Sequence, residues 1–457
     1  MDYSAANHSL WGIFIWLGII AILLLLANVL NRKVRFVRQL LIPTAALAGF
    51  LLLLLRSTGL LRMPGDLLEH ITYHSIAIGF IALSLKPGKQ DTGGAFAMKS
   101  GALIVATYLM QAILGLMISL LLAYTFMPDL FKASGILLPM AYGQGSGQAN
   151  NVGSTYEALG FVGGRSFGLS LAATGYLCAC VVGVWYTRRL LRAPGQKMPD
   201  VQVVSGSVTT EIFEEEGEMP LTESVDRLSM QVALVLACYL LTYLVTRLLT
   251  DALGAVSPGL GKMLQPILWG FNFITGSIIA MLVRTGINTL RSRGIMTRQY
   301  QNSYLLTRIS GLAFDLMIVA GIAAIDIADL RNLWVPFLLM AVLGGIATYY
   351  FVRWLCRKLY PGFVEESFVA MYGMLTGTIS SGILLLRQLD PEFHTPAADS
   401  LVVGSGTAIL FGAPLLVLIA IAPQSPLMTL LTMAVASLYL AFLLWLMFRI
   451  QLGKKKA

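Results

Sequence analysis

The chain has 457 residues, of which 57% are hydrophobic and only 12% are charged, and its mean hydropathy is +0.76. Soluble proteins carry about 25% charged residues, so the composition excludes an ordinary soluble domain and indicates a helical membrane protein. The formal net charge of +9 does not indicate nucleic-acid binding, because the basic residues lie in short loops beside apolar segments.

Apolar segments of membrane-spanning length recur along the chain. The first half is predicted to contain five full spans, Leu10–Leu30, Gln39–Leu55, Ile71–Leu85, Ser100–Phe126 and Ser166–Tyr186, and an interrupted polar-rich segment before the fifth span, Gly135–Phe161. A polar and acidic stretch at 193–227 follows, and its composition predicts a flexible cytoplasmic linker.

The second half repeats this plan. Its predicted spans are Leu228–Leu249, Met263–Leu290, Ser303–Ile327, Asn332–Phe351 and Ser400–Ile421, with an interrupted segment, Phe363–Leu386, and one extra span, Pro426–Phe448. Basic residues favour the cytoplasmic ends of spans. This rule places the N-terminus outside and the C-terminus in the cytoplasm, provided that each interrupted segment enters and leaves on the same side.

The predicted fold class is therefore an all-α polytopic membrane protein with two inverted five-span repeats, each containing a re-entrant or broken helical segment. The repeats cover 1–192 and 228–422, and 423–457 adds one C-terminal span with a basic tail. Internal repeats of opposite orientation are typical of secondary transporters.

Each interrupted segment contains the pattern Tyr-Gly-x-x-(Ser/Thr)-Gly, as Tyr142-Gly143-Gln144-Gly145-Ser146-Gly147 and as Tyr372-Gly373-Met374-Leu375-Thr376-Gly377. Because Gly147 and Gly377 tolerate left-handed backbone angles, we expect the helix to break at each copy and the two tips to meet. Unwound backbone persists inside a membrane only where protein, water or ligand satisfies it. The alternative is that the copies are kinks or close-packing faces of small residues; two polar-rich copies at matching places in the two halves favour a binding site.

Helix N-termini at such tips suit a carboxylate, and hydroxyl and carbonyl oxygens suit sodium. The predicted substrate-binding residues are Gly143, Ser146, Gly147, Asn150, Asn151, Thr376, Gly377, Ser380, Ser381 and Arg387, and the predicted sodium ligands are Ser154, Thr155, Thr378 and Asp315.

Two of these residues have competing interpretations. Asp315 lies in the middle of a predicted span, where it is a cation ligand, a proton carrier or the partner of Arg284 or Arg308 in a structural ion pair. Arg387 either pairs with a substrate carboxylate or anchors the inner end of its segment. No nucleotide-binding loop, nucleophile elbow or zinc-binding His-Glu-x-x-His pair is present in the sequence, so we expect a carrier driven by an ion gradient, with no organic cofactor, rather than an enzyme.

The stretch from Tyr372 to Arg387, followed by Asp390-Pro391, resembles the second pore-loop motif of the bacterial glutamate:sodium symporter (ESS) family. Gly143 to Gly147 matches the position of the first motif, although Gln144 stands where the family typically has His. The resemblance covers about Ser9 to Ala422. It implies sodium-coupled uptake of glutamate, a homodimer in the bacterial cytoplasmic (inner) membrane, and movement of a transport domain past a scaffold domain.

Three functions thus remain open. The first is sodium-coupled symport of glutamate or a related small carboxylate by alternating access. The second is a proton-coupled or dicarboxylate carrier of the same fold, in which Asp315 would matter more. The third is a channel or a sensor. The expected partners are a small anionic substrate, membrane lipid and a second copy of the chain, with no nucleic acid.

Overall fold

The computed structural model describes residues 3–4, 7–40, 42–87, 94–191, 227–257, 261, 265, 268–296, 298–390 and 394–449. The α-helices are α1 (His8–Lys33), α2 (Arg35–Leu40), α3 (Thr44–Ser57), α4 (Gly65–Leu85), α5 (Gly94–Thr125), α6 (Ser146–Ala158), α7 (Gly164–Leu191), α8 (Arg227–Val256), α9 (Asn272–Ser292), α10 (Ser303–Ala323), α11 (Trp334–Leu359), α12 (Val364–Thr376), α13 (Ile379–Leu386), α14 (Ala397–Ile421) and α15 (Pro426–Arg449).

Ten of the described helices are long and apolar enough to cross a membrane. The chain is therefore an all-α polytopic membrane protein, as its composition predicted. The inverted repeats, the side of the membrane on which each terminus lies and the identity of that membrane stay predictions.

Each predicted full span overlaps a helix, but the boundaries differ by up to nine residues: α9 begins at Asn272 instead of Met263, and α11 ends at Leu359 instead of Phe351. The third span begins earlier than predicted, at Gly65 instead of Ile71. The second is short, because α3 has only 14 residues and starts after Pro43, which occupies its N-cap position. A proline has no N–H to donate and is tolerated at that end of a helix. The predicted linker lies outside the described residues, except for Arg227, which begins α8.

The chain divides into two compact units, and each draws on both halves of the sequence. The smaller unit comprises the described parts of Tyr73–Gly94 and Asp200–Asp315. It packs parts of α4, α8, α9 and α10 around a small apolar core, which consists of Ile81, Ala82, Leu85, Val235, Cys238, Ala280 and Leu306.

The larger unit comprises the described parts of Met1–Thr72, Ala95–Pro199 and Leu316–Ala457. It contains both interrupted segments. Helix α7 is mostly buried within it, and glycines at 168, 175 and 183 allow other segments to approach the α7 backbone closely. This helix positions the candidate site.

Candidate functional site

The first interrupted segment folds back on itself beside α7. It contains a 3₁₀ turn (Lys132–Ile136), a π-helical turn (Pro139–Gly143) and α6. A methyl group at Gly168 of α7 would lie 3.4 Å from Cδ2 of Leu137 and 2.9 Å from the carbonyl oxygen of Ala149. Residues before and after the break thus lie at the same level of α7. We call the segment 132–158 hairpin 1.

The break in hairpin 1 falls at Gly145, which has φ +87° and ψ −174°. This region of backbone space is essentially restricted to glycine. Gly145 is the N-cap of α6 and supplies no side-chain cap. Gly147 and Gly377, which tolerate left-handed angles, do not adopt them: Gly147 lies inside α6, and Gly377 has φ −143°. The helix restarts at Ser146, so the residue just before it takes the unusual angle.

The second interrupted segment is also a hairpin, formed by α12 and α13. A methyl group at Gly373 of α12 would lie 2.8 Å from Cα of Gly382 in α13, and one at Gly382 would collide with the carbonyl oxygen of Ala370. The backbones of the two arms are therefore in direct contact. We call 364–386 hairpin 2.

The tip of hairpin 2 is a break at Gly377 and Thr378. The Thr378 side chain caps α13 by accepting from the Ser381 N–H at 3.4 Å. The Thr376 hydroxyl donates to the Tyr372 carbonyl oxygen at 2.8 Å within its own helix. Of the predicted ligands here, Ser381 is 3% exposed, whereas the side chain of Ser380 lies outside the described residues.

The two tips meet beside the middle of α7. A methyl group at Gly175 would collide with the carbonyl oxygen of Thr376 in hairpin 2 and would lie 3.0 Å from the Tyr142 ring of hairpin 1. A methyl group at Gly145 would lie 3.7 Å from the carbonyl oxygen of Gly377. Residues that are far apart in sequence thus form one junction.

The hairpins occupy opposite halves of α7. The far end of hairpin 1 contacts the start of α7, where a methyl group at Gly153 would lie 2.6 Å from Cα of Arg165. The far end of hairpin 2 contacts the last turns of α7, where Tyr186 donates to Glu365 and Thr187 donates to Gln388 Oε1 at 2.6 Å. Each hairpin thus runs from one end of α7 to its centre.

Gln111 of α5 connects the two hairpins. Its Nε2 donates to the carbonyl oxygen of Leu375 and to Oγ1 of Thr348, both at 3.0 Å. Its Oε1 faces hairpin 1, since a methyl group at Gly143 would lie 3.0 Å from that atom. Sequence reasoning missed Gln111, because a single amide in an apolar helix matches no motif. Its only signal is a polar side chain within a 32-residue apolar helix.

The junction combines two kinds of ligand-binding groups. Helices α6 and α13 both begin at the tips, so their first N–H groups and positive dipole ends lie there. Polar side chains of α6 are buried beside them: Gln148 and Asn150 are each 1% exposed, and both amide atoms of Gln148 and Oδ1 of Asn150 have no hydrogen-bond partner in the protein. The hydroxyl of Tyr176 in α7 borders the break, since a methyl group at Gly145 would lie 3.4 Å from that oxygen. Such groups suit a small polar anion.

Sodium prefers neutral or anionic oxygen ligands, and the tip of hairpin 2 offers several. They are the carbonyl oxygens of Thr376 and Gly377 and the hydroxyls of Thr378 and Ser381. This donor set fits a hard monovalent cation. The predicted ligands Gly143, Ser146, Gly147, Asn150 and Asn151 lie at or within two turns of the tip of hairpin 1 and are buried.

The structure places other predicted ligands away from the tips. Ser154 and Thr155 lie near the far end of α6, roughly 13 Å from Gly145 at the rise of an α-helix. Thr155 donates to the Asn151 carbonyl oxygen at 2.8 Å within its own helix. Ser154 donates to Glu69 at 3.0 Å, and Glu69 in turn pairs with Arg165 at 2.5 Å. These contacts hold the base of hairpin 1.

Arg387 lies apart from the junction, and Asp315 does not belong to the compact unit that contains the junction. Arg387 is exposed and follows the last turn of α13, at the end opposite the tip. Asp315 belongs to the smaller unit, is exposed, and pairs with neither of its predicted arginines. Arg284 instead donates to the Lys86 carbonyl oxygen at 3.2 Å, and Arg308 stacks over the ring of Tyr304.

No family model matches the chain, and no curated protein matches it.

Proposed function

We propose that the protein is a secondary active transporter that carries glutamate or a related small carboxylate together with sodium by alternating access, as a member of the ESS family. The single observation that carries this proposal is the junction of the two hairpin tips beside Gly175 of α7. Backbone breaks in a membrane protein persist where protein, water or a ligand satisfies them, and paired broken segments are a common substrate site in transporters.

The division of labour within the site follows from its chemistry. The substrate carboxylate binds at the N-termini of α6 and α13, and sodium binds at the carbonyl and hydroxyl oxygens of hairpin 2. Burying a sodium ion next to a bound carboxylate costs less free energy than burying either charge alone. Loading both together is therefore favoured, which is the basis of coupling.

Three further features of the proposal come from the sequence. The two halves form inverted repeats at 1–192 and 228–422, the N-terminus lies outside and the C-terminus lies in the cytoplasm of a bacterial inner membrane, and the protein is a homodimer. Each compact unit includes residues from both halves, which is compatible with repeats that intertwine. The protein is a carrier and not an enzyme, and it needs no organic cofactor.

Transport by the purified protein in liposomes tests the proposal. Labelled L-glutamate is supplied under an imposed sodium gradient, under an imposed proton gradient and under neither. We expect uphill accumulation with sodium alone, abolished by a sodium ionophore. Accumulation with protons alone would instead support the proton-coupled alternative, and flux that never exceeds equilibrium would indicate a channel.

A pair of serine variants links transport to the junction. Ser381→Ala removes a buried hydroxyl at the tip of hairpin 2, and we expect it to raise the sodium concentration needed for half-maximal uptake. Ser277→Ala is the matched control, because Ser277 is 1% exposed and donates to the Phe273 carbonyl oxygen at 2.8 Å within α9 of the smaller unit. Equal sodium dependence in both variants would remove Ser381 from the proposed site.

A further inference from the structure

Gln148 has the least satisfied side chain at the tip of hairpin 1. It is 1% exposed, and neither Nε2 nor Oε1 has a hydrogen-bond partner in the protein. Leaving one buried polar group unpaired is unfavourable, and buried side-chain amides are normally bonded. A side chain with both its donor and its acceptor unpaired therefore points to a bound group that satisfies both.

The position of Gln148 directs this side chain to the junction. It is the third residue of α6, which begins at Ser146 directly after the break. Side chains on an α-helix lean toward its N-terminus, and the N-terminus of α6 is the end at the tip. The Gln148 side chain thus leaves the helix on the side of the first N–H groups, which have no side-chain cap.

The chemistry of a carboxamide limits what it can bind. Nε2 donates and Oε1 accepts, and the two atoms are adjacent. A carboxylate satisfies only the donor, whereas a ligand with a carboxylate and a neighbouring ammonium group satisfies both. A dicarboxylate without an amino group leaves Oε1 buried and unpaired.

We propose that Gln148 contacts the substrate directly and selects for amino acids over dicarboxylates that lack an amino group. Nε2 donates to the substrate carboxylate, and Oε1 accepts from its ammonium group. This inference rests on the proposed function and adds a specificity-determining residue to it.

Thermal stabilisation of the purified protein by ligands tests the inference, because a ligand that binds the folded state raises the unfolding temperature. The probes are L-glutamate and glutarate, which differ only in the amino group, each with sodium chloride or with choline chloride. In the wild type we expect L-glutamate to bind about tenfold to a hundredfold more tightly than glutarate, as expected when a buried acceptor is left unpaired.

Gln148→Met keeps the length of the side chain and removes both polar atoms. We expect it to bind L-glutamate and glutarate with affinities within about threefold of each other, since the unpaired acceptor is gone. Gln301→Met is the matched control: Gln301 is also 1% exposed, but it belongs to the smaller unit and only its Nε2 is unpartnered. This variant keeps the selectivity of the wild type.

The outcomes separate the two proposals. If the wild type is stabilised and Gln148→Met retains its preference for L-glutamate, the role of Gln148 is refuted and the proposed transport function stands. If neither probe stabilises the wild type in sodium or in choline, both are refuted. If Gln148→Met fails to fold, Gln148→Glu serves instead; the added negative charge must weaken L-glutamate binding about tenfold or more if the contact exists.

Discussion

Nε2 of Gln111 lies 3.0 Å from the carbonyl oxygen of Leu375, 264 residues away along the chain. The same amide approaches Gly143 through Oε1, so one side chain of α5 contacts both hairpins next to their tips. Gln111→Leu leaves the Leu375 carbonyl oxygen buried and without its donor. We expect a loss of about 1–3 kcal/mol in the free energy of unfolding, together with a higher KM for uptake.

Gln231→Leu provides the comparison for Gln111. Gln231 is 1% exposed and donates through Nε2 to the Tyr300 carbonyl oxygen at 2.7 Å, in the smaller unit. We expect a similar loss of stability, measured by thermal unfolding, but an unchanged KM. If both variants alter KM equally, Gln111 acts only on stability.

The unusual backbone of Gly145 predicts that any side chain there harms function. Gly145→Ala forces a residue with Cβ into a backbone region that costs about 1–3 kcal/mol, and its methyl group enters the junction near the Gly377 carbonyl oxygen. Gly294 has φ +73° with open space around it, so Gly294→Ala imposes backbone strain alone. We expect both variants to unfold at lower temperature and only Gly145→Ala to lose uptake. Normal uptake by Gly145→Ala would show that the junction tolerates the methyl group.

The contact between the arms of hairpin 2 predicts a strong effect at Gly382. Gly382→Ala places a methyl group against the carbonyl oxygen of Ala370, and backbone cannot move aside cheaply, so we expect a loss of about 1–3 kcal/mol. Gly406 of α14 has nothing within 4 Å, and there alanine stabilises a helix by up to about 1 kcal/mol. Opposite shifts in the unfolding temperature are therefore expected. Shifts of the same sign would argue against the close packing of α12 on α13.

The hydrogen bonds to Asp390 predict that the stability of the folded protein falls at low pH. Partial burial raises the pKa of this carboxyl, but hydrogen bonds from Thr395 and His394 outweigh burial and hold the pKa below its usual value. A carboxyl with a lowered pKa in the folded state contributes stability above its unfolded pKa of about 3.9. That contribution is lost as the pH falls through the folded pKa. Asp390→Asn should lower the unfolding temperature at pH 7, and the gap to the wild type should shrink toward pH 3. A gap that does not change with pH would mean that the charge is unimportant.

Much of the fold could be predicted from the sequence. A helix must have about 20 apolar residues to cross a membrane, and segments of that length stand out clearly in this chain. The helix breaks lie within a few residues of the paired glycine motifs. These motifs combine glycines with polar residues, and a continuous membrane helix requires neither. Which glycine takes the left-handed angle was not predictable, since Gly143, Gly145 and Gly147 are equivalent by composition.

The candidate site was predicted less completely, for geometric reasons. Ser154, Thr155 and Arg387 belong to the motif segments in sequence, but the helical rise carries them to the far ends of the arms. Gln111 comes from a helix that shows no motif, and only the tertiary fold places it between the tips. The sequence around a motif does not show how far the helical rise carries a residue from the tip. It also does not show which other helices pack beside the tip.

The shared contact of both hairpins with α7 has a consequence for how the protein is made. Hairpin 1 and α7 leave the ribosome early, whereas Glu365, which Tyr186 contacts at the end of α7, follows 179 residues later. Until then the amide of Gln111 has no Leu375 to bond, and the second half of α7 lacks its contacts with hairpin 2. The N-terminal half is thus an incomplete folding unit, which must persist in the membrane until the last third of the chain has been synthesised.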